Sequence, residues 1–383
     1  MINNSLKTII LAAGESKRIL SSKSKILHTI GGKAIIEHVL DNISKVVNKK
    51  NINVVISPKL NQLKNEYKKI SFSFQKKPLG TAHAVLSCKD VYSKSNQDIL
   101  ILYADNPFID ETIVRSMINI KKKKNSDIVL LVVNTNKKNE YGRIILNDED
   151  KVKKIVEFKD ATINQKKISL CNSGIMLLKS EVLKKLITKI KSKNKKKEFY
   201  LTDIIDLANK NNFKVDYVKS DFLKTLGINT NKELAIAEEH FQNILREKFI
   251  SAGVKLLDPK SIFFNYDTKI GKDVIIEPNV FFGSDVVIKN NVHIKAFSHI
   301  EGVKILDNAV IGPFARLRPG TVIGPNSHIG NFVEIKKTHI KKNSKINHLS
   351  YLGDTNVGEN VNIGAGVITC NYDGAKKNKT KIE

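Results

Sequence analysis

A repeat of six residues runs through the second half of the chain and constrains its fold more than any other feature. Apolar residues recur at this interval from Ile270 to Ile363, with five-residue steps after Ile300, Ile335 and Leu352. An α-helix needs a period of about 3.6 residues and an ordinary strand a period of about two. A period of six, with Gly, Asn, Asp and Lys between the apolar positions, predicts a β-helix in which each short strand points one apolar side chain inward.

The composition limits the possible partners. The chain has 383 residues, which allows two or three domains with separate cores. Its formal net charge is +27, yet only six of the 65 basic residues are Arg, and Trp is absent. Base recognition relies on Arg for bidentate contacts and on aromatic side chains for stacking. We therefore interpret the charge as a solvated, lysine-rich surface, with help in binding anionic substrates as the alternative, and we expect no nucleic-acid partner.

The cysteines and the N-terminus indicate the compartment. Cys88, Cys171 and Cys370 lie far apart in the sequence and suggest neither a zinc site nor a disulfide framework, which fits a reducing environment. The apolar run Thr8–Ala13 ends in a glycine turn, so it predicts a first strand rather than a signal peptide. No stretch is long enough to cross a membrane. We expect a soluble cytoplasmic protein without a membrane partner.

Residues 1–229 alternate short apolar runs with amphipathic segments, which predicts an α/β domain with a mainly parallel sheet. The predicted strands are Thr8–Ala12, Asn53–Ile56, Ile99–Tyr103, Ile128–Val133 and Val215–Val218. The predicted helices are Ala34–Val47, Thr81–Cys88, Glu111–Lys121 and Glu181–Ile190. Because ligands of such sheets bind beyond the carboxyl ends of the strands, the loops there are candidate sites.

A capping-box pattern marks the end of this region. Thr230 and Glu233 have the spacing of a capping box, and an apolar stripe with helical spacing runs from Leu234 to Phe249. We interpret residues 230–250 as a connecting helix. The predicted domains on either side are residues 1–229 and a hexapeptide-repeat domain, residues 251–383.

A glycine-containing loop directly follows the first predicted strand. Backbone N–H groups in such a loop can hold phosphates, and Arg18 and Lys25 can neutralise a triphosphate. A tight turn before a helix explains the same residues equally well. The loop lacks both the GxGxxG pattern of dinucleotide folds and the GK[ST] of a P-loop. The loop runs from Leu11 to Arg18 and contains Gly14.

Further segments strengthen the first interpretation, and they occur in order along the chain. They are Gln75 with Pro78–Ala84, Tyr103–Pro107, Tyr141–Arg143, Val156–Ala161, Asn172–Gly174, Phe199–Asp203 and Gly227–Thr230. With the glycine loop and the hexapeptide repeats, they resemble the bacterial family of bifunctional N-acetylglucosamine-1-phosphate uridylyltransferases/glucosamine-1-phosphate acetyltransferases. The resemblance implies a Rossmann-like α/β nucleotidyltransferase domain with a mainly parallel sheet, followed by a left-handed parallel β-helix of hexapeptide repeats.

The resemblance also implies the chemistry of the first domain. N-acetylglucosamine 1-phosphate attacks the α-phosphate of UTP in line, and pyrophosphate leaves. Arg18 and Lys25 are the implied catalytic cations, and Asp105 and Asn229 the implied Mg²⁺ ligands. The implied uracil-binding positions are Gln75, Gly80 and Thr81, and those for N-acetylglucosamine are Gly142, Glu157 and Asn172. The remaining nucleotide- or sugar-binding positions are Leu11, Ala12, Ala13, Gly14, Tyr103, Ala104 and Asn229.

Three positions depart from the family pattern. Ser16 and Lys17 stand where the family loop has Gly and Thr, and Ala104 stands where it usually has Gly. An added Cβ atom costs backbone freedom where φ is positive and can crowd the nucleotide. We expect these changes to affect turnover more than the fold.

The β-helix carries the second set of candidate residues. Arg318 and Lys336 are 18 residues apart, or three hexapeptides, which stacks them on one face where they suit a sugar phosphate; a solvated lysine ladder is the alternative. The resemblance implies that His348 is the general base that deprotonates the 2-amine of glucosamine 1-phosphate before it attacks acetyl-CoA. The implied hexosamine-phosphate positions are Arg318, Lys336, Tyr351, Asn362 and Lys377, and those for the acetyl donor are Ala365, Asn371 and Tyr372.

The chain stops at Lys381–Glu383, where a further coil is expected to start, and the family continues with coils that supply much of the acetyl-CoA site. We therefore expect the β-helix, which we also call the prism, to be truncated.

The leading hypothesis is the bifunctional enzyme, a homotrimer whose acetyl-transfer sites are shared between neighbouring prisms. A second hypothesis keeps only the uridylyltransferase, with the β-helix as a trimerisation stalk. A third is a non-catalytic scaffold, as in exchange-factor subunits of translation initiation, which retained Lys25, Asp105, Asn229 and His348 argue against.

Overall fold

The computed structural model describes residues 3, 5–14, 18–93, 96–135, 139–192, 194 and 196–383. The chain divides into two compact units, residues 1–29 with 34–237 and residues 30–33 with 238–383. The segment expected to connect two domains forms a helix over Asn231–Ser251. Each unit has its own hydrophobic core.

Nine strands among the described residues of the first unit form one sheet. They are β1 (Leu6–Ala12), β4 (Ile52–Ile56), β5 (Ser71–Phe74), β6 (Asp98–Tyr103), β7 (Ile128–Asn134), β8 (Arg143–Leu146), β9 (Val152–Val156), β10 (Leu170–Lys179) and β11 (Val215–Ser220). The two short strands β2 (Thr29–Ile30) and β3 (Lys33–Ala34) lie outside this sheet. Seven strands follow the order β11-β7-β10-β6-β1-β4-β5, and β8 and β9 form a hairpin beside β10.

The prediction of a mainly parallel sheet is confirmed, with one antiparallel strand in the path. Strand β10 runs antiparallel to both β6 and β7, whereas the other neighbours on the path are parallel. The sequence analysis did not predict β10, because Asn172, Ser173 and Gly174 interrupt its apolar run and its pairing shifts register between Asn172 and Met176. Strands β5, β8 and β9 were also missed, since they are short or carry charged residues.

The four predicted helices are present as α1, α3, α5 and α7, with ends that differ by a few residues from the prediction. The α-helices of the described residues are α1 (Ile35–Ser44), α2 (Leu63–Glu66), α3 (Thr81–Leu86), α4 (Lys89–Ser93), α5 (Glu111–Lys124), α6 (Ile163–Lys166), α7 (Ser180–Leu186), α8 (Ile204–Lys210) and α9 (Asn231–Ser251). Within the described part of the chain, no helix combines the length and apolar character that crossing a membrane requires.

The sheet of the first unit is buried on both faces. Along β1, Ile9 and Leu11 belong to the core on one face, whereas Ile10 and Ala12 belong to the core on the other. Side chains that alternate between two buried faces must all be apolar, which explains the continuous apolar runs of the central strands. The carboxyl ends of β1 and β6 are thereby held side by side, in register from Leu6 to Leu11.

The second unit is a parallel β-helix with three sheets, named here in the order in which each coil passes through them. The first sheet contains β12 (Lys255–Leu256), β14 (Ile275–Ile276), β17 (His293–Ile294), β20 (Val310–Ile311), β23 (His328–Asn331), β26 (Lys345–His348) and β29 (Asn362–Ile363). The second contains β15 (Phe281–Phe282), β18 (His299–Ile300), β21 (Arg316–Leu317), β24 (Glu334–Lys336) and β27 (Tyr351–Gly353). The third contains β13 (Lys269–Ile270), β16 (Val287–Ile288), β19 (Val303–Ile305), β22 (Thr321–Ile323), β25 (His339–Ile340), β28 (Thr355–Val357) and β30 (Thr380–Ile382).

The six-residue repeat corresponds to one inward side chain per strand, as predicted. Repeat residues such as Ile294, Leu317 and Ile329 have no exposed surface, and they pack on the equivalent residues of adjacent coils. The five-residue steps shorten a coil without breaking the stack, since Ile288 still pairs with Ile305, 17 residues later. The periodicity therefore predicted both the fold of this unit and its core.

The three corners of the β-helix place residues in the left-handed backbone region, and each corner uses different residue types. Between the third and first sheets these are mainly asparagines, with φ of 57–61° at Asn291, Asn308 and Asn360. Between the second and third sheets they include Gly302 and Gly320. Between the first and second sheets they include bulky side chains, namely Phe297, Phe314, Phe332 and Leu349. Asn and Gly tolerate this conformation, whereas a bulky side chain there is unusual.

The asparagine corner forms a hydrogen-bonded ladder. The side-chain amide of Asn308 donates to Asn326 Oδ1 at 3.0 Å, and Asn326 donates to Asn343 Oδ1 at 3.1 Å. Asn343 in turn donates to Asn360 Oδ1 at 3.0 Å. Each asparagine thus adopts the positive φ that the corner requires, and its side chain also forms a hydrogen bond to the next coil.

We expect Asn326→Ala to lower the free energy of unfolding of the β-helix by about 1–2 kcal/mol. The substitution removes two ladder hydrogen bonds and places a Cβ-bearing residue without a side-chain partner at a φ of 56°. Asn326→Asp retains the acceptor for Asn308 and should lose less. Urea unfolding measures the effect, with the exposed Lys304→Ala as a matched control expected within about 0.5 kcal/mol of the parent. Equal stability of the parent and Asn326→Ala would contradict the role of the ladder.

Candidate functional site

The loops after β1 and β6 meet at the carboxyl edge of the sheet in the first unit. The backbone N–H of Ala104 donates to the carbonyl of Leu11 at 3.0 Å and so extends the ladder beyond β6. Asp105 follows immediately and is 8% exposed. Ala104 is buried and does not have a positive φ, so the backbone cost that Ala in place of Gly could carry does not arise there.

Lys25, Asp105 and Asn229 come together from three distant parts of the chain. The Lys25 ammonium contacts the Asp105 carboxylate and donates to Asn229 Oδ1 at 2.8 Å. The backbone N–H of Ile228 donates to the Asp105 carbonyl at 3.0 Å, which joins the two loops directly. The prediction that these three residues share one site agrees with this geometry.

The start of α9 holds Asn229 in place. The Glu233 carboxylate accepts from the Asn229 backbone N–H at 2.8 Å and from the Thr230 hydroxyl at 3.0 Å. The Glu233 backbone N–H donates to Thr230 Oγ1 at 3.2 Å, as the capping-box pattern predicts. The cap thus satisfies helix N–H groups and also orients a site residue.

The oxygen atoms around Lys25 fit a divalent cation. A carboxylate oxygen of Asp105 and the amide oxygen of Asn229 converge on a single positive group, here the Lys25 ammonium. Mg²⁺ binds such oxygens and commonly takes few from the protein, because phosphates and water fill the rest of its coordination shell. Among the described residues, no cluster of three or more His, Cys, Asp or Glu could hold a metal ion.

One side of the candidate site at this sheet edge is formed by Gln75, Gly80 and Thr81. The buried side chain of Gln75 donates to the carbonyl of Gly80 at 3.0 Å. Gly80 precedes α3 with a φ of +111°, and a Cβ atom there would lie 2.5 Å from the Phe199 carbonyl oxygen. Thr81 Oγ1 accepts from the backbone N–H of Leu201 at 2.9 Å. Only glycine fits at position 80, so the turn before α3 has a well-defined backbone conformation.

Gly142, Glu157 and Asn172 form a second group. The backbone N–H of Asn172 donates to the Gly142 carbonyl at 2.8 Å, and a Cβ atom on Gly142 would lie 3.6 Å from the Glu157 carboxylate. Asn172 is 6% exposed, yet its Oδ1 finds no hydrogen-bond partner among the described residues. Because a buried acceptor without a partner is costly, this oxygen indicates a position for a donor group of a ligand.

Burial shifts the pKa values of Glu157 and of its neighbour Tyr103. Burial raises the pKa of the Glu157 carboxyl above its ordinary value, and repulsion from Asp203 and Asp160 adds to the shift, whereas a hydrogen bond from the Thr202 hydroxyl at 2.9 Å opposes it. Burial and the nearby carboxylates of Glu157 and Asp105 also raise the pKa of the Tyr103 phenol. Perturbed groups of this kind concentrate at functional sites.

Tyr103 packs closely against Gly174, where a Cβ atom would lie 2.5 Å from the aromatic ring. Gly174 has a φ of +88° and lies at the irregular part of β10. The irregular strand that the sequence analysis missed therefore makes room for a predicted site residue.

The glycine loop is only partly described. Leu11, Ala12 and Ala13 are buried, and Gly14 is exposed with no heavy atom within 4 Å of a Cβ position. Ser16 and Lys17, two of the departures from the family pattern, lie outside the described residues. The structure gives Arg18 a partner away from Lys25, since its guanidinium pairs with Glu140 at 3.2 Å and both side chains are more than half exposed.

In the second unit, the predicted stack of Arg318 and Lys336 is present. Arg316 and Leu317 of β21 pair in register with Glu334 and Ile335 of β24, so Arg318 lies directly above Lys336 along the coil axis. Glu334 accepts from Arg318 Nη1 at 2.7 Å. The two cations are therefore accompanied by a carboxylate that offsets part of their charge.

His348 lies at the end of a first-sheet strand and is exposed. Its Nδ1 is 3.1 Å from Asn331 Oδ1, in the coil below. The hydroxyl of Ser350 donates to the His348 carbonyl at 2.7 Å. A cleft of about 430 Å³ opens beside this histidine, and its other lining residues include Lys295, Phe314, His328 and Phe332. Burial lowers the pKa of His328, and the neighbouring charges of Lys295, Lys345 and His348 lower it further.

The last described coil carries the remaining predicted residues. Asn371 is buried and donates to Asp354 Oδ2 at 2.6 Å, next to Tyr351 and Gly353. Tyr372 and Lys377 form a bridge at the base of an exposed loop. Asn362 and Ala365 are also exposed.

Within one chain, the structure does not bring all predicted acetyl-transfer residues together. His348 lies at the corner between the first and second sheets, whereas Arg318 and Lys336 lie at the far end of the second-sheet strands. Tyr351 and Asn371 group with the latter side. The width of the second sheet separates the two groups.

Comparison with known proteins identifies the family. The nucleotidyl transferase family model matches residues 7–246, and the model for bacterial transferase hexapeptides, six repeats, matches residues 267–302 and 302–337. The bifunctional protein GlmU of Sphingopyxis alaskensis is 42% identical over 383 residues, which cover 100% of this chain and 84% of that protein. The bifunctional protein GlmU of Paramagnetospirillum magneticum is 40% identical over 383 residues, covering 100% and 85%. That of Zymomonas mobilis is 38% identical over 379 residues, covering 98% and 84%.

The chain belongs to the bifunctional GlmU family. The family resemblance noted in the sequence is thereby confirmed, and so is the fold of a nucleotidyltransferase domain followed by a hexapeptide β-helix. Members of this family join uridylyl transfer, which forms UDP-N-acetylglucosamine, to acetyl transfer, and the protein is an enzyme of cell-wall precursor synthesis. Nucleotide and acetyl-CoA substrates, and typically a divalent metal, follow from this membership.

Several residues that shape the GlmU site were not predicted individually. Thr202 holds the Glu157 carboxylate, and Tyr141 accepts from the Gly227 backbone N–H at 3.3 Å. His83 contacts Gln75 at 3.0 Å. All three lie inside segments that match family motifs, so the available signal was their position beside a recognised residue.

We expect Asp203→Asn to stabilise the protein in a pH-dependent way. Burial, with repulsion from Asp206 and Asp160, raises the pKa of Asp203 to about 6. Because the folded-state pKa lies above that of the unfolded chain, ionisation destabilises the fold as pH rises from about 4 to 6. The substitution should raise the free energy of unfolding by about 1–2 kcal/mol at pH 8 and change it little at pH 4.

Urea unfolding at pH 4, 6 and 8 provides the measurement, with Asp148→Asn as a control at an exposed carboxylate. A gain of the same size at pH 4 and pH 8 would assign the effect to packing instead of charge. A loss of stability at pH 8 would contradict the raised pKa.

Proposed function

We propose that residues 1–229 transfer UMP from Mg²⁺-bound UTP to N-acetylglucosamine 1-phosphate, and that residues 251–383 acetylate glucosamine 1-phosphate from acetyl-CoA. The observation that carries the first assignment is the convergence of Lys25, Asp105 and Asn229 at the carboxyl edge of the sheet. The three cysteines, all free, support assignment of the enzyme to the cytoplasm.

The uridylyl step is a displacement at the α-phosphate. The phosphate oxygen of N-acetylglucosamine 1-phosphate attacks the α-phosphorus of UTP, and the bond to the bridging oxygen of pyrophosphate breaks. Asp105 and Asn229 would hold Mg²⁺, which neutralises charge on the phosphates when bound. Lys25 turns from Asp105 to the phosphates and stabilises the same negative charge. Arg18 exchanges its exposed partner Glu140 for the leaving pyrophosphate.

The acceptor sugar is positioned by the group around Glu157. The unpartnered Oδ1 of Asn172 accepts from a donor of the N-acetylglucosamine, and the Glu157 carboxylate, held by Thr202, accepts from a second. Gly142 allows the sugar to approach the backbone. Holding both reactants supplies much of the rate enhancement, since phosphoryl transfer needs little covalent help from the protein.

In acetyl transfer His348 accepts a proton from the 2-amine. The amine nitrogen attacks the thioester carbonyl of acetyl-CoA, the C–S bond breaks, and the CoA thiolate leaves and is protonated. Asn331 selects the histidine nitrogen that acts. A carbonyl oxygen only accepts, so Asn331 Oδ1 at 3.1 Å places the proton on Nδ1 and leaves Nε2 with the lone pair.

A second copy of the chain would complete the acetyl-transfer site. His348 and the Arg318–Lys336 stack lie at opposite ends of the second-sheet strands, so neighbouring prisms that meet at these corners bring the two groups together. The corner beside His348 supports such a contact. Phe297, Phe314 and Phe332 stack there at 5.0 and 5.1 Å while about half exposed, in a backbone conformation that disfavours bulky side chains. A ring of three copies uses this contact three times and closes.

Two assays on the 383-residue chain test both activities with Mg²⁺ present. Pyrophosphate release from UTP and N-acetylglucosamine 1-phosphate follows the first reaction, and thiol release from acetyl-CoA and glucosamine 1-phosphate follows the second. We expect Asp105→Asn to lower only pyrophosphate release, by about 100-fold or more, because it removes a charged ligand. His348→Gln should lower only thiol release, by about 100-fold or more.

Each variant serves as the control for the other. Pyrophosphate without thiol from the parent enzyme would leave the β-helix as a stalk, and neither product would favour a scaffold. Loss of both activities in either single variant would indicate misfolding, which circular dichroism detects.

The parent chain should have a solution mass of about three times its 43.0 kDa. Phe314→Glu combined with Phe332→Glu should shift the mass toward that of one chain, because charges would replace the stacked rings at the contact. Light scattering after gel filtration measures the shift. The control is Ile163→Glu, an equally apolar and more exposed position in the first unit. A double variant that keeps the mass of the parent would contradict the assignment of this corner.

A further inference from the structure

The amide of Gln75 has a fixed orientation. Its side chain is 6% exposed, and its Nε2 lies 3.0 Å from the Gly80 carbonyl oxygen. A backbone carbonyl can only accept, so the amide nitrogen and not the amide oxygen must face Gly80. The backbone N–H of Gln75 donates to the Ile56 carbonyl at 2.9 Å, which holds the residue at the end of its strand.

His83 accepts the second proton of the same amide. Its Nδ1 is 3.0 Å from Gln75 Nε2, and this hydrogen bond requires a neutral imidazole with its proton on Nε2. Both N–H donors of Gln75 are then used. Within the described part of the chain, no group donates to Gln75 Oε1, which is left for a ligand.

The two acceptors belong to one rigid turn. Gly80 precedes α3 and its backbone is confined by Phe199, while His83 lies in the first turn of the same helix. The Ser87 hydroxyl donates to the His83 carbonyl at 2.9 Å. The turn therefore presents two acceptors to Gln75 at a defined spacing.

We propose that His83 is a positioning residue that sets the base specificity of uridylyl transfer by holding Gln75 with its oxygen toward the nucleotide. The proposal rests on the proposed function of the first domain. Uracil carries a hydrogen on N3, which Gln75 Oε1 accepts, whereas cytosine presents a lone pair at N3 and is repelled. A rotated Gln75 amide would offer N–H donors there and would favour cytosine instead.

The same contact also determines which class of base the site accepts. Thymine shares the N3–H of uracil, so this contact accepts imide bases in general and rejects cytosine. A site built to hydrogen-bond a group discriminates strongly against an analogue without it, because a buried polar group is then left without a partner.

The test compares kcat/KM for UTP and CTP with N-acetylglucosamine 1-phosphate as acceptor. His83→Leu removes one of the two acceptors that hold the Gln75 amide and leaves only the Gly80 carbonyl, so a rotated amide becomes less costly and the UTP preference should fall by about tenfold or more. His83→Asn retains an acceptor oxygen near the position of Nδ1 and should keep most of the preference. Ser87→Ala is the matched control, because it loosens the same helix without touching Gln75.

Calorimetric binding of UTP and CTP separates specificity from turnover. His83→Leu with the UTP-to-CTP ratio of the parent, in binding and in kcat/KM, would overturn the role of His83 and leave uridylyl transfer intact. A parent enzyme that uses UTP and CTP equally well would also overturn the role of His83, whereas a parent that uses neither nucleotide would overturn uridylyl transfer itself. Equal losses in His83→Asn and His83→Leu would show that the acceptor is not what matters.

Nitrogen NMR of histidine-labelled enzyme gives an independent readout on the parent protein itself. The His83 resonances, assigned by their absence in His83→Asn, should show protonated Nε2 and unprotonated Nδ1. A proton on Nδ1 would contradict the hydrogen bond from Gln75 and with it the proposal.

Discussion

The charge contact of Lys25 with Asp105 and Asn229 is the interaction on which the first active site depends. It joins a loop after the first strand, the end of a central strand and the residue before a long helix, none of which is near another in sequence. A partly buried ammonium and carboxylate are stable there only as a pair. The contact therefore brings together the two side-chain oxygens that we propose as metal ligands.

The second active site depends on a different constraint, the inward apolar residue of each hexapeptide. This repeat makes the coils stack in register and leaves function to the outward positions and corners. Residues on one face then align without any need for local sequence similarity. The same geometry keeps the corner of His348 apart from that of Arg318, which is why we propose that a second copy of the chain completes the acetyl-transfer site.

Periodic packing was predictable from the sequence, and irregular packing was not. The six-residue repeat predicted the β-helix and its core, and continuous apolar runs predicted β1, β4, β6, β7 and β11. Strand β10 was not predicted, because its register shift and Gly174 make room for the Tyr103 ring. No local sequence pattern encodes that contact. The family resemblance supplied the site residues. It could not show that Arg18 pairs with Glu140 or that His83 contacts Gln75, since such contacts depend on side-chain orientation.

Both proposed sites fix the orientation of a key side chain in the same way. In each site an acceptor, the Gly80 carbonyl with His83 Nδ1 in one case and Asn331 Oδ1 in the other, determines which atom of a neighbouring side chain faces the substrate. Lys25 and Asp105 are paired in the structure, and in the proposed mechanism Lys25 leaves this pair for the phosphates, as Arg18 leaves its exposed pair with Glu140 at little cost. The groups that identify the substrate are therefore oriented before it binds. The cations that neutralise the phosphates change partners during the reaction, because the phosphates move as the bond breaks.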